Sequence, residues 1–268
     1  MNTRPCPNCS SDSSRIYLSE REFRIVRCSE CGLTFLQNPP ENNAMYEEYY
    51  NDIPYSGNDY RSNSSAPFLA ELFAINERRL LQLQTIKRGG TLLDIGCGLG
   101  FFLKSAAGQN YDVYGIDISS KALSFAQKEF SVRCGKKSTD ELLAEHRTFD
   151  IVTLWHVLEH FLDPAAELKK IRSLLNEDGV CIIEVPNLHS IEFMLSRNKW
   201  KGGNHPLYHR TFFTAKTLEE TARRSGFKTG RRLQLSYRIP NKSVFHFAAK
   251  KLFNIVAMDG FLDYAAFK

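Results

Sequence analysis

The chain has 268 residues, 43% of them hydrophobic and 24% charged, enough to bury one sizeable core with a small module beside it. Its 35 lysines and arginines face 30 aspartates and glutamates, and the resulting formal charge of +5 is too mild to demand a nucleic-acid partner. No apolar run reaches the length of about eighteen residues that a membrane span needs, and Met1 to Arg4 leads into cysteines, so no membrane span or secretory signal is expected and the expected compartment is the cytoplasm.

Disulfides are not expected of the seven cysteines in a reducing compartment. Cys6-Pro-Asn-Cys9 and Cys28-Ser-Glu-Cys31 repeat a C-x2-C pattern across an eighteen-residue gap. That spacing suits a structural tetrathiolate zinc site with Cys6, Cys9, Cys28 and Cys31 as ligands. Gly32 supplies the permissive residue after the second pair, and residues 15–27 alternate as a β-hairpin does, so residues 1–38 are predicted to form a zinc ribbon. Between the cysteines, Arg15, Arg21, Arg24 and Arg27 are offset by Asp12, Glu20, Glu22 and Glu30, which leaves no positive field for phosphates. Cys97, Cys134 and Cys181 lie in or beside apolar strands, where plain burial is expected.

Gln37-Asn38-Pro39-Pro40 marks a boundary, and residues 39–88 read as a connector with a covering helix. Tyr46, Tyr49, Tyr50, Tyr55 and Tyr60 either line a cleft or fasten the ribbon to the main domain. Residues 67–83 follow a helical rhythm, and that helix is expected to cover a sheet edge.

From 89 to 268 strands and helices alternate, which predicts an α/β fold: a Rossmann-like, doubly wound, mostly parallel sheet. Strands are expected near 91–95, 112–117, 131–134, 149–155, 179–185, 227–235 and 261–267. Helices are expected near 99–108, 119–129, 139–145, 157–176, 189–197 and 215–225. A further helix, 243–258, has an apolar face wide enough to require cover, from the domain itself or from a second subunit of a homodimer.

The richest segment is Thr91 to Asp117. An apolar run ends in Gly96-Cys97-Gly98-Leu99-Gly100, a helical stretch follows, and a second apolar run ends at Asp117, nineteen residues beyond Gly98. Glycines at such a turn admit positive φ and close approach of a ligand, and the later acid suits ribose hydroxyls. The pattern is not the G-x-G-x-x-G of a pyrophosphate cradle. Asp94, two residues before the first glycine, would repel a phosphate and attract an ammonium. A ribose-bearing ligand with a cationic amino-acid end fits best.

At this point the sequence resembles the class I S-adenosylmethionine-dependent methyltransferases, whose first motif reads as Leu92 to Gly100 reads here. The resemblance implies a seven-stranded sheet with residues 261–267 as its antiparallel seventh strand. It also implies cofactor contacts at Asp94, Gly96, Cys97, Gly98, Gly100, Asp117, Ile118, Trp155 and His156.

The strand ending at Trp155 delivers His156-Val-Leu-Glu159-His160. On a helix these three polar residues would share a face. In quinone-type O-methyltransferases with Glu-x-x-Glu-His at this place, the resemblance implies a divalent metal, but His156 replaces the first acid. The competing reading gives Glu159 and His160 structural work. His156 is a candidate acid or base in either case. A second cluster runs from Trp200 to Thr214, with Gly202-Gly203 as a hinge and His205, Tyr208, His209 and Arg210 as polar groups. His209 is the first candidate base for the acceptor's proton and His156 the second, with the phenol of Tyr208 as a hydrogen-bonding group.

The whole chain is similar to bacterial proteins that join an N-terminal zinc ribbon to a class I methyltransferase domain. The resemblance implies a small-molecule methyl acceptor such as a sugar, a surface-polysaccharide precursor or a secondary metabolite, with no nucleic acid expected. The alternatives are an RNA base methyltransferase and a non-catalytic S-adenosylmethionine-binding partner protein.

Overall fold

The structure is a computed structural model that describes residues 4–20, 23–40, 66–190, 193, 208–233 and 261–268. The tyrosines at 46–60, Gly202, Gly203, His205 and the 243–258 helix lie outside the described residues, as does most of the helix expected at 189–197. In chain order the strands are β1 (Ser14–Glu20), β2 (Phe23–Cys28), β3 (Thr34–Leu36), β4 (Gly90–Ile95), β5 (Tyr111–Ile116), β6 (Cys134–Gly135), β7 (Phe149–Trp155), β8 (Leu175–Pro186), β9 (Thr211–Phe212), β10 (Thr229–Arg232) and β11 (Phe261–Phe267). The α-helices are α1 (Ala66–Gln84), α2 (Phe101–Ala107), α3 (Ser120–Phe130), α4 (Thr139–Ala144), α5 (Pro164–Leu174) and α6 (Ala215–Arg224).

Seven strands form one sheet in the order β10-β11-β8-β7-β4-β5-β6. Strands β4, β5 and β6 run parallel, whereas β11 is antiparallel to both β8 and β10. The expected doubly wound sheet and its antiparallel last strand are therefore present. Among the described residues no helix is long and apolar enough to cross a membrane.

Two compact units make up the chain: Met1–Glu41 with Leu154–Ser173 and Val180–Lys268, and Asn42–Thr153 with Leu174–Gly179. In the second unit β4 and β5 pair in register from Gly90–Tyr111 to Ile95–Ile116, which brings the two apolar runs to a common carboxyl end. Thr91 donates its main-chain N–H to Asp150 at 2.9 Å near the start of β4, and near its end the Thr153 hydroxyl donates to Asp94 at 2.7 Å. Helix α1 packs against other helices of this unit. Phe73 stacks edge-on against Phe101 of α2 at 5.1 Å and approaches Phe130 of α3 at 6.3 Å, so α1 gains its apolar cover from other helices.

In the first unit, β1 and β2 form the predicted hairpin, extended by β3 into a four-stranded sheet whose last member is β9. Thr34 lies opposite Phe212, and Phe35 opposite Thr211. Phe23, Ile25, Leu36, Leu188 and Phe212 share one buried apolar cluster across this sheet.

The long helix expected over 157–176 is interrupted. Leu158–His160 makes a single 3₁₀ turn, Phe161 is extended, and α5 starts only at Pro164. His156 takes a left-handed φ of 59°, which breaks the helical path at its start. Asp163 then caps α5 by accepting the Ala166 N–H at 2.8 Å, and Pro164 suits the first helical position because it has no N–H to leave unpaired.

Candidate active site

The glycine turn closes β4. Gly96, Gly98 and Gly100 have φ of 69°, 50° and 78°, the conformation for which the sequence reserves glycines. The main-chain N–H groups of Gly96 and Cys97 both donate to the Ile116 carbonyl, at 2.8 and 3.0 Å, so the turn is fastened to the end of β5. Asp117 strengthens this junction. Its Oδ2 accepts the Gly98 N–H and its Oδ1 the Ser119 N–H, both at 2.8 Å. Each carboxylate oxygen has a second lone pair, so both remain able to accept a ligand hydroxyl. Ile118, next in the chain, is about half exposed and offers an apolar surface beside that acid.

Asp94 is fully buried below the turn, where burial pushes its pKa up to about 7 in spite of the Thr153 hydrogen bond and the Arg79 charge. A buried acid so poorly compensated gains from either a proton or a neighbouring cation. The Cys97 thiol points inward and hydrogen-bonds Cys134, which leaves its main chain as the part that shapes the turn. The residues from Asp94 to Ile118 thus combine a cation-seeking carboxylate, a close-approach backbone and a ribose-competent acid. That donor set fits S-adenosylmethionine.

In the other unit the four ribbon cysteines converge. Cys6 and Cys31 sulfurs lie 3.5 Å apart, as do those of Cys9 and Cys28. Main-chain N–H groups turn toward the Cys6 and Cys28 sulfurs, and Gly32 holds φ 76° after the second pair. Four thiols packed this closely, each pair within its own turn, fit a tetrahedral zinc ion.

The same unit carries the histidine cluster. Trp155 is buried at the end of β7 and His156 follows, half-buried, with its ring edge-on to Phe261 at 4.8 Å. His156 Nε2 lies 3.1 Å from Glu184 and Nδ1 lies 3.6 Å from Glu159. Burial pulls the imidazole pKa down, but the two buried carboxylates outweigh it and hold it at about 9. His156 is therefore an imidazolium at neutral pH.

This corrects the expected shared face of His156, Glu159 and His160. His156 does meet Glu159, but its shorter contact is with Glu184, while His160 turns elsewhere and places Nδ1 2.9 Å from the Tyr208 carbonyl. A carbonyl only accepts, so Nδ1 carries the proton, and in the neutral ring Nε2 keeps a lone pair. Tyr208 enters this cluster through its main chain. His209 is buried beside it, with Nε2 4.0 Å from Glu159 and its ring 4.8 Å from that of His160. The His209 ring also lines a small recess with Pro186, Asn187, Leu188 and Phe212.

Glu159 is the centre of this arrangement. The residue is 1% exposed, neither carboxylate oxygen has a hydrogen-bond partner among the described residues, and the neighbouring histidines, His156 foremost, lower its pKa against the effect of burial. One ligand atom each from Glu159, His160 and His209 lie within 4.8 Å of one another. Glu184 was missed by sequence reasoning. An acid inside the apolar run Val180 to Val185 is the signal that could have revealed it, since a buried charge needs a partner.

Comparison with known proteins accords with this geometry. A family described as "Methyltransferase domain" matches residues 68–230. A ubiquinone biosynthesis O-methyltransferase from Glaesserella parasuis serovar 5 is 34% identical over 117 residues, covering 40% of this chain and 50% of the relative. One of the same description from Aromatoleum aromaticum is 29% identical over 187 residues, 63% of this chain and 79% of the relative. The chain thus spans half the length of the first of these relatives. A crystal structure of a SAM-dependent methyltransferase from Archaeoglobus fulgidus superposes with a TM-score of 0.55 at 21% identity, covering 74% of this chain and 94% of that one, and shows the shared fold.

Proposed function

This chain belongs to the methyltransferase domain family, and from that premise we propose that it transfers a methyl group from S-adenosylmethionine to a small-molecule acceptor. We propose a hydroxyl-bearing acceptor: a sugar, a surface-polysaccharide precursor or a secondary metabolite. The O-methyltransferase descriptions of the sequence relatives support an oxygen as the methylated atom. Zinc, in this reading, is held by Cys6, Cys9, Cys28 and Cys31 as a structural ion.

When bound, S-adenosylmethionine supplies an electrophilic methyl on a sulfonium that is already a good leaving group. Asp94 attracts the ammonium of its methionine end, and Asp117 accepts from the ribose while it keeps Gly98 in place. An acceptor hydroxyl must lose its proton as it attacks, and the observation that carries the assignment is the buried, ionised Glu159 beside His209. His209 takes the proton, and Glu159 stabilises the imidazolium that results. His156 is unsuited to that role because its two carboxylates already hold it protonated. Proton acceptance of this kind contributes about 10² to 10⁴-fold in rate, and alignment of the reactants contributes more.

The test is incubation of purified protein with methyl-labelled S-adenosylmethionine and a small-molecule extract. Label should enter the small-molecule fraction, and His209→Ala should slow its entry at least tenfold. Unchanged labelling by His209→Ala removes His209 from the reaction.

The converging Glu159, His160 and His209 favour one second reading. Their donor set fits a divalent cation, with Nε2 of His160 aimed by the Tyr208 carbonyl in the manner of metal-bound imidazoles. Such an ion would act as a Lewis acid toward an acceptor oxygen. Elemental analysis separates the two readings: one zinc per chain supports the metal-free site, and two equivalents of metal support the second.

A further inference from the structure

Arg4 lies outside the C-x2-C and glycine motifs, two residues before the first ribbon cysteine. Its guanidinium makes three donations to main-chain carbonyls: Nε to Leu36 at 3.0 Å, one terminal nitrogen to Arg210 at 3.2 Å, and the other to Leu162. Its own N–H donates to the Gln37 carbonyl at 3.2 Å, and its guanidinium lies 5.5 Å from the centre of the Phe35 ring.

The three carbonyls belong to three different segments. Leu36 ends β3 of the ribbon. Leu162 lies two residues beyond His160, on the stretch that carries Glu159. Arg210 follows His209 directly. The Arg210 carbonyl also accepts the Leu36 N–H at 2.9 Å, and the Arg210 N–H donates to the Glu159 carbonyl at 2.8 Å. The chain at 209–210 is thus gripped by the ribbon on one side and by the 3₁₀ turn on the other, and the β3–β9 pairing continues that grip through Thr211 and Phe212.

We propose that Arg4 is a positioning residue for the histidine cluster, fixing the spacing between the turn that bears Glu159 and His160 and the segment that bears His209. A planar guanidinium presents its donors in a rigid fork, so the three carbonyls cannot shift independently while it holds them. A lysine ammonium has the charge without that geometry. The ribbon is accordingly part of the scaffold of the proposed acceptor site, and its β3 and its Arg4 anchor are the means by which it acts there. The inference rests on the reading of that cluster as the acceptor site, but the placement of the rings can be read without any acceptor.

The experiment uses full-length, zinc-loaded protein with ¹³C-labelled histidine rings, as wild type and as Arg4→Lys and Arg4→Gln. Ring resonances, zinc content and S-adenosylhomocysteine affinity are measured together. The expected result is displaced ring resonances of His160 and His209, undisplaced His146 and His189, one zinc retained, and affinity within about twofold of wild type. Unmoved His160 and His209 signals in both variants would overturn the proposal. Loss of zinc by both would also overturn it, because Arg4 would then serve the folding of the ribbon. Failure of the acceptor-site reading shows separately, as unchanged labelling by His209→Ala in a protein whose ring signals still depend on Arg4.

Discussion

Asp117 holds Gly98 from across the βαβ unit, accepting its main-chain N–H at 2.8 Å from nineteen residues further along the chain. The acid that is proposed to receive the ribose is thus also the acid that shapes the turn, and its two tasks are separable. Asp117→Ala should lower stability by about 2–4 kcal/mol, because two charge-assisted hydrogen bonds from main-chain N–H groups are lost. Affinity for S-adenosylhomocysteine should fall at least about 100-fold. Asp117→Asn, which keeps one acceptor oxygen, should recover part of the stability and little of the affinity. Urea denaturation and calorimetric titration measure the two effects independently.

Gly100 combines a φ of 78° with crowding, since a Cβ there would sit 2.7 Å from the Cβ of Ala126. Left-handed strain and overpacking add, and Gly100→Ala should cost about 2–4 kcal/mol. The midpoint of urea unfolding should drop with an unchanged m-value. A midpoint like that of wild type would mean that α2 and α3 separate without cost.

The pH dependence of cofactor binding follows from Asp94. Burial raises its pKa to about 7, so in the ligand-free protein it loses charge as pH falls below that value. Only the carboxylate attracts an ammonium. Affinity for S-adenosylhomocysteine should therefore weaken about tenfold from pH 8 to pH 6, and Asp94→Asn should bind weakly and without that slope. The ligand-free protein should show the opposite trend from an ordinary salt-bridged acid. The folded state holds the proton more tightly than the unfolded chain, so this group's contribution to stability declines as pH rises from about 4 toward 7.

His156 titrates in the other direction. Its folded pKa of about 9 exceeds the ordinary 6.5, so its pairing with Glu159 and Glu184 contributes fully below pH 6.5 and is lost as pH rises through 9. Thermal midpoints should fall between pH 7 and 9.5 by more than the fall seen in His156→Gln. Glu184→Gln removes the nearer carboxylate and should shift the fall to lower pH by about one unit.

The parts of this molecule that could be read from its sequence are those specified by local patterns. Two apolar runs bracketing Gly96, Gly98 and Gly100 define a parallel pair of strands because only a glycine-rich turn admits that backbone. Paired C-x2-C turns define the ribbon because tetrathiolate spacing is narrow. What the sequence left unread depends on distant partners. Strands β3 and β9 are too short to show a period, and they exist because Thr34 to Leu36 meets Thr211 and Phe212 over a shared apolar cluster. The helix expected from 157 fails because His156 adopts a left-handed backbone while its ring pairs with Glu184, a residue 28 positions away whose acidity was visible but whose partner was not. Arg4 carries no local signal, since its three acceptors are main-chain carbonyls that lie 32, 158 and 206 residues away.

The turn between Asp94 and Asp117 is proposed to bind the sulfonium nucleoside, and calorimetric titration of the purified protein with S-adenosylmethionine and S-adenosylhomocysteine is the decisive measurement. One saturable site per chain for each compound, lost in Asp117→Ala, is the predicted result. A protein that releases no heat and gains no thermal stability with either compound does not hold the nucleoside at this turn.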